Sequence, residues 1–299
     1  MKIKREDLHI RDPFILADGG KFYMYGTCNM ANALEAKDKE PNQGFSSFVS
    51  LDLETFDGPY HAFDRFEGFW GEKSYWAPEV YKLKDGYYMF ATFFSEKDGR
   101  RCQILKSDNP LTGFTPWSEP FTPEGWWCLD ATLFFHEGKP YSVFCHEWLQ
   151  VKNGEMWITE LSSDLKKAVG EPKLIFKAAD APWSKSWDDG NCITDGPFVH
   201  KNKNGKLVMM WSSGGAKGYT MGMAVNDGKD VFSGWTQLSK PLYAEDGGHG
   251  MIFEKDGKLF ISIHAPNSAA ERPHFIEIRE TEDGLETCLL YTSDAADEP

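Results

Sequence analysis

The 299-residue chain contains no uninterrupted apolar run of about 18 residues, the least that carries a helix across a membrane. Its opening, Met1-Lys2-Ile3-Lys4-Arg5-Glu6-Asp7, has basic residues with no apolar stretch behind them, so no secretory leader is legible. The expectation is a soluble, cytoplasmic protein with no membrane partner. Positive charge is also scarce: 32 Lys and Arg stand against 46 Asp and Glu, a net charge of −14. Such a surface repels polyanions and sets nucleic acid aside as a partner, while a neutral ligand such as a sugar meets no such penalty. The six cysteines (Cys28, Cys102, Cys128, Cys145, Cys192, Cys288) are scattered without a Cys-x-x-Cys pair. That spacing excludes a zinc ribbon or a disulfide framework and suits reduced, mostly buried thiols. A phosphate-binding P-loop, a Ser-His-Asp order and zinc-ligand spacings are missing too. The doublets Gly19-Gly20, Gly214-Gly215 and Gly247-Gly248 read as turns. Long stretches of 3.6-residue periodicity are absent, which excludes a helical architecture.

What the chain does have is aromatic residues and a repeated phrase. Of its 22 Phe, 11 Trp and 11 Tyr, most are expected in packing between sheets. Trp70, Trp76, Trp126, Trp127, Trp148 and Trp187 lie in or beside the repeated segments and are candidates for flat ligand platforms. In the phrase, a small or acidic residue, often followed by proline, leads into an apolar strand, a Gly-containing turn and commonly an aromatic-rich strand. The copies begin at Arg11-Asp12-Pro13-Phe14-Ile15, Trp76-Ala77-Pro78-Glu79-Val80, Asp130-Ala131-Thr132-Leu133-Phe134, Asp195-Gly196-Pro197-Phe198-Val199 and Gly248-His249-Gly250-Met251-Ile252. Taking residues 12, 77, 130, 195 and 249 as equivalent gives steps of 65, 53, 65 and 54. Strand-rich repeats of that size predict an all-β, five-bladed β-propeller. One domain is expected over residues 1–287. The tail 288–299 resembles translated sequencing adaptor, with a genuine disordered tail as the alternative, and is set aside from the fold.

Inner strands of a propeller converge on one axis, so Asp12, Asp130 and Asp195, heading three of them, can share a pocket. Cleaving a glycosidic bond needs two carboxyl groups, one to protonate the leaving oxygen and one to activate water or attack the anomeric carbon. A third carboxylate raises the acid's pKa by like-charge repulsion. Any one of these aspartates can also simply cap a strand or turn; three at repeat positions are harder to dismiss.

These segments, over about residues 8–287, resemble family 43 of the glycoside hydrolases, five-bladed propellers that include β-xylosidases, α-L-arabinofuranosidases and arabinanases. The matching pieces are Arg11-Asp12-Pro13-Phe14-Ile15, Tyr75-Trp76-Ala77-Pro78-Glu79-Val80, Leu129-Asp130-Ala131-Thr132-Leu133-Phe134-Phe135 and Gly248-His249-Gly250. The resemblance implies an inverting hydrolase acting on arabinosyl or xylosyl oligosaccharides. Asp12 would be the general base, and Asp130 the residue that tunes and orients the acid. The family's acid is a Glu in a Glu-Gly-Pro phrase; the matching residue here is Asp195, one carbon shorter, with Asp188, Asp189 and Glu147 as substitutes. Trp76 would wall the sugar bound at the cleavage point. His249 would order water or a metal ion, with calcium at the axis as the only ion implied; a plain buried histidine is the alternative. Arg272 would bind substrate hydroxyls or a carboxylate, with a surface salt bridge as the alternative. No cofactor is required. Two rival readings remain: a non-catalytic sugar-binding propeller whose acid has degenerated, and a phosphate-using phosphorylase on a related fold, for which Arg11 and Arg272 make a thin basic cluster. The loops 29–43, 61–74 and 146–154 are expected to form the rim.

Overall fold

Five antiparallel sheets follow the five copies of the phrase. The computed structural model describes residues 1–28, 43–187, 190–268 and 271–288; most of the 29–43 insert, Asp188, Asp189 and residues 289–299 lie outside the described residues. Blade one consists of Arg11–Asp18, Lys21–Thr27, Gly44–Ser50 and Thr55–Asp64, with Lys2–Lys4 added beyond the last as a fifth strand. Residues 61–64, expected on a rim loop, extend that fourth strand. Blade two runs through Lys73–Leu83, Gly86–Ser95, Gly99–Ser107 and Thr115–Pro116, and blade three through Cys128–His136, Lys139–His146, Glu155–Leu161 and Ala168–Lys177. Blade four comprises Asp195–Lys201, Leu207–Gly215, Gly218–Asn226 and Thr236–Gln237. Blade five comprises Gly248–Lys255, Lys258–Ala265, Arg272–Glu280 and Leu285–Thr287. Among the described residues the only α-helix is Trp148–Val151, and no helix is long and apolar enough to cross a membrane.

Each blade's second strand lies between two neighbouring blades, so both of its faces are covered. Gly86–Ser95 and Leu207–Gly215 are accordingly buried almost throughout, and their sequences read as continuous apolar runs rather than as alternation. The core is divided among the spaces between blades. Phe45, Phe63, Phe69, Tyr75 and Phe93 interlock between blades one and two, with Tyr75 and Phe93 edge to face at 4.9 Å. Each fully buried ring of this kind contributes about 1.5–3 kcal/mol through removal from water. Met251 and Phe253 of blade five join the same cluster, which closes the ring from the last blade onto the first.

A local irregularity heads every inner strand. Pairing with the second strand is interrupted between Arg11 and Phe14, Trp76 and Glu79, Leu129 and Thr132, Asp195 and Phe198, and Gly248 and Met251. At each bulge the first unpaired residue adopts left-handed φ: Asp12 51°, Ala77 45°, Asp130 55°, Gly196 50° and His249 52°. The structural repeat is therefore 12, 77, 130, 196 and 249. The equivalence of residue 195 expected from the sequence is corrected by one position: Asp195 corresponds to Arg11, Trp76, Leu129 and Gly248.

Candidate active site

A bulge re-aims the side chain it carries, and here the five bulges bring residues from different blades together. His249 Nδ1 lies 3.0 Å from Asp12 Oδ1 and 3.7 Å from Asp130 Oδ2. A Cβ added at Gly196 would stand 2.7 Å from the His249 ring, so glycine is required there to admit the imidazole. Asp12 and His249 each keep 11% of their side-chain surface exposed, so solvent reaches the cluster.

The bulge N–H groups are satisfied in a ring, each by the preceding blade. Ala77 N donates to Thr27 Oγ1 (2.8 Å), Asp130 N to Thr92 Oγ1 (2.9 Å), His249 N to Ser212 Oγ (2.8 Å) and Asp12 N to His264 Nδ1 (3.2 Å). These acceptors hold one register position, opposite Arg11, Trp76, Asp195 and Gly248 of their own blades. In blade three that position, opposite Leu129, is Cys145. A thiol is a weak acceptor. The N–H of Gly196 donates instead to Asp130 Oδ2, at 3.0 Å.

Because His264 Nδ1 accepts from Asp12 N, the proton of this imidazole sits on Nε2, which faces Asn267 Oδ1 at 3.2 Å. Burial pushes its pKa down to about 3. His264 is thus neutral, and its 3.4 Å approach to Asp12 Oδ1 is not an ion pair. Burial also works against charge on His249, but Asp12 and Asp130 outweigh it and raise that imidazole to about 10. Conversely, burial alone would raise the Asp12 carboxyl; the facing His249 charge and hydrogen bond hold it well below the usual carboxylate range. Asp12 Oδ2 also accepts from Thr27 Oγ1 at 2.5 Å. Asp130 is shifted upward, first by burial and then by Asp12, against the opposing pull of His249. Burial and the charge of Asp130 push Asp195 up to about 7, and Tyr219 donates its hydroxyl to Asp195 Oδ2 at 3.1 Å. The three aspartates therefore differ in protonation: one is firmly ionised and one is poised to carry a proton near neutrality. That is the division of labour that acid–base cleavage of a glycosidic bond requires.

Trp76 lies at the head of the inner strand of blade two, with the Arg100 guanidinium 4.3 Å from its ring centroid. Glu147, a substitute acid by sequence, is ion-paired with that same Arg100. Arg272 is turned toward the N-terminal segment: its Nε donates to Glu6 O and its Nη1 meets His9 Nδ1, both at 2.7 Å. Arg11 Nη2 donates to Asn267 Oδ1 at 2.6 Å. Among the described residues no three or more His, Cys, Asp or Glu side chains form a group able to hold an ion. The Nδ1 of His249 serves as the cationic partner of Asp12. Sequence reasoning missed Thr27, Thr92, Ser212, Tyr219, His264 and Arg100. For the first three a signal existed, a hydroxyl near the end of an otherwise apolar second strand.

The family model for the glycosyl hydrolases of family 43 matches residues 7–285. Among solved structures, an endo-arabinase from Bacteroides thetaiotaomicron VPI-5482 is 37% identical, with 94% of this chain and 98% of that one covered and a TM-score of 0.86. An endo-1,4-beta-xylanase from the same organism (24% identity, 94% and 95% covered, TM-score 0.76) and an alpha-L-arabinofuranosidase from Lactobacillus brevis (17% identity, 94% of each covered, TM-score 0.74) share the fold. Comparison with curated protein sequences gave no match.

Proposed function

Since this chain belongs to family 43 of the glycosyl hydrolases, we propose that it hydrolyses pentose-containing oligosaccharides with inversion at the anomeric carbon, arabinosyl substrates before xylosyl ones. The observation that carries the reading is the split in protonation between Asp12, held ionised by His249 at 3.0 Å, and Asp195, raised to about 7. The preference for arabinosides rests on the 37% identity to an endo-arabinase over nearly the whole chain.

In this mechanism Asp12 accepts a proton from a water molecule whose oxygen attacks the anomeric carbon. The bond from that carbon to the leaving oxygen breaks, and the oxygen takes the proton of Asp195. Asp130 keeps Asp195 protonated by repulsion and is itself held by the Gly196 N–H. Asp195 stands one residue before the bulge, where Tyr219 fixes its carboxyl. His249 supplies the charge that keeps Asp12 ionised and therefore free to take a proton. None of these proton transfers calls for an organic cofactor.

The test is hydrolysis of debranched arabinan, arabino-oligosaccharides, xylo-oligosaccharides and nitrophenyl pentosides, with the first-formed anomer read by proton NMR. Release of the inverted anomer from arabinosyl substrates is expected. Binding of these sugars without turnover would favour the sugar-binding alternative, and cleavage that needs phosphate would favour the phosphorylase.

A further inference from the structure

Arg100 is buried at the head of the third strand of blade two, with 7% of the residue exposed. Its Nη1 is ion-paired with Glu147 Oε2, which follows the second strand of blade three. The guanidinium carbon lies 4.3 Å from the centroid of Trp76, 5.7 Å from Phe94 and 5.9 Å from Trp127. Trp76 occupies the inner-strand position that Asp195 holds in blade four, immediately before the bulge. Arg100 therefore joins two blades behind one wall of the site, within electrostatic reach of both Asp130 and Asp195. A bond made only for stability would be expected to use all its donors. Yet Arg100 Nε is buried with no hydrogen-bond partner among the described residues, which costs stability. Replacing such a buried ion pair with apolar side chains is often neutral or stabilising. The pair is thus a poor device for stability and a good one for fixing geometry and charge.

We propose that Arg100 is a positioning residue of this active site: anchored by Glu147, it holds the Trp76 ring as a wall of the sugar pocket and sets a fixed positive charge beside Asp130 and Asp195. The inference rests on the glycosidase reading above. The charge favours the ionised form of Asp130 and, by reciprocity, of Asp195. Removing it raises the pH at which Asp195 gives up its proton.

The experiment compares wild type with Arg100→Met, Arg100→Lys and the double variant Arg100→Met/Glu147→Leu, reading Tm, kcat, KM and the pH profile on the pentoside that wild type cleaves best. Arg100→Met alone leaves Glu147 buried without a partner and is expected to lower Tm. The double variant removes that penalty and is expected to recover Tm. With Tm recovered, the proposal expects KM raised at least tenfold and the alkaline limb of the profile moved to higher pH, with Arg100→Lys keeping the limb but not KM. A double variant with wild-type KM and wild-type limbs overturns it. Failure of wild type on every pentoside would instead overturn the glycosidase reading. In that case the same variants are read by quenching of tryptophan fluorescence with arabino-oligosaccharides, where unchanged affinity in the double variant overturns the positioning role and weakened affinity supports it.

Discussion

The backbone N–H of Gly196 donates to Asp130 Oδ2 at 3.0 Å, and it does so where the other four blades use a side chain of the preceding second strand. One cysteine in place of a hydroxyl, Cys145, thereby couples the middle carboxylate to the strand that carries Asp195. Cys145→Ser offers Gly196 its own acceptor and releases Asp130 Oδ2. Since the Gly196 hydrogen bond lowers the Asp130 pKa, its loss moves that group further up. The variant is expected to fold normally, shift the pH–rate profile and lose activity several-fold. An unchanged profile would show that the coupling has no catalytic consequence.

Gly196 itself tolerates no side chain. Its φ of 50° and the 2.7 Å approach of an added Cβ to His249 act together. Gly196→Ala is expected to cost about 1–3 kcal/mol through overpacking and to push His249 away from Asp12. Thermal unfolding measures the first effect, and a lowered kcat at a temperature where the variant is still folded reports the second.

Asp195 acts only while protonated. With its pKa raised to about 7, kcat/KM falls as pH rises through that value. Asp12, held well below the ordinary range, stays ionised on the acid side and imposes no limb there until pH is far lower. Asp195→Asn and Asp12→Asn are each expected to lower kcat at least about a hundredfold, the scale of losing an acid or base. Asp195→Glu retains measurable hydrolysis. Wild-type rates in Asp195→Asn would move the acid elsewhere.

Stability should carry the signature of Glu79, a carboxyl buried beside Tyr81 and Thr132 whose pKa burial pushes up to about 8. In the unfolded chain a glutamic acid loses its proton near its ordinary value of about 4.3, while the folded form keeps it to about 8. Between those values the native state holds the extra proton, so stability declines as pH rises. Glu79→Gln removes this dependence. Denaturant unfolding at a series of pH values should show a flatter curve and higher stability at neutral pH than in wild type; an identical slope would exclude Glu79 as its source.

Much of this molecule was legible as periodicity. The five phrases specified five sheets because a bulge, a strand, a Gly turn and a second strand are local consequences of local residues. Leu207 to Trp211 reads as a buried strand by composition alone. Asp12 and Asp130 could be singled out because each heads a copy of the repeated phrase. The one-residue offset at Asp195 was not legible: Asp195-Gly196 fits either register by spacing, and only contact with His249 dictates that glycine takes the bulge. Arg100 was invisible because its partners, Trp76 and Glu147, are distant in sequence and meet across a blade boundary.

The amino-acid order alone fixed the repeat, the all-β class and the residue types at the head of each strand, since these follow from short-range backbone preferences and hydrophobic burial. Which carboxyl is ionised, which is protonated and which histidine bears charge was decided only by folding. Those properties depend on distances of a few ångströms between blades and on exclusion of water, and neither exists until the ring has closed.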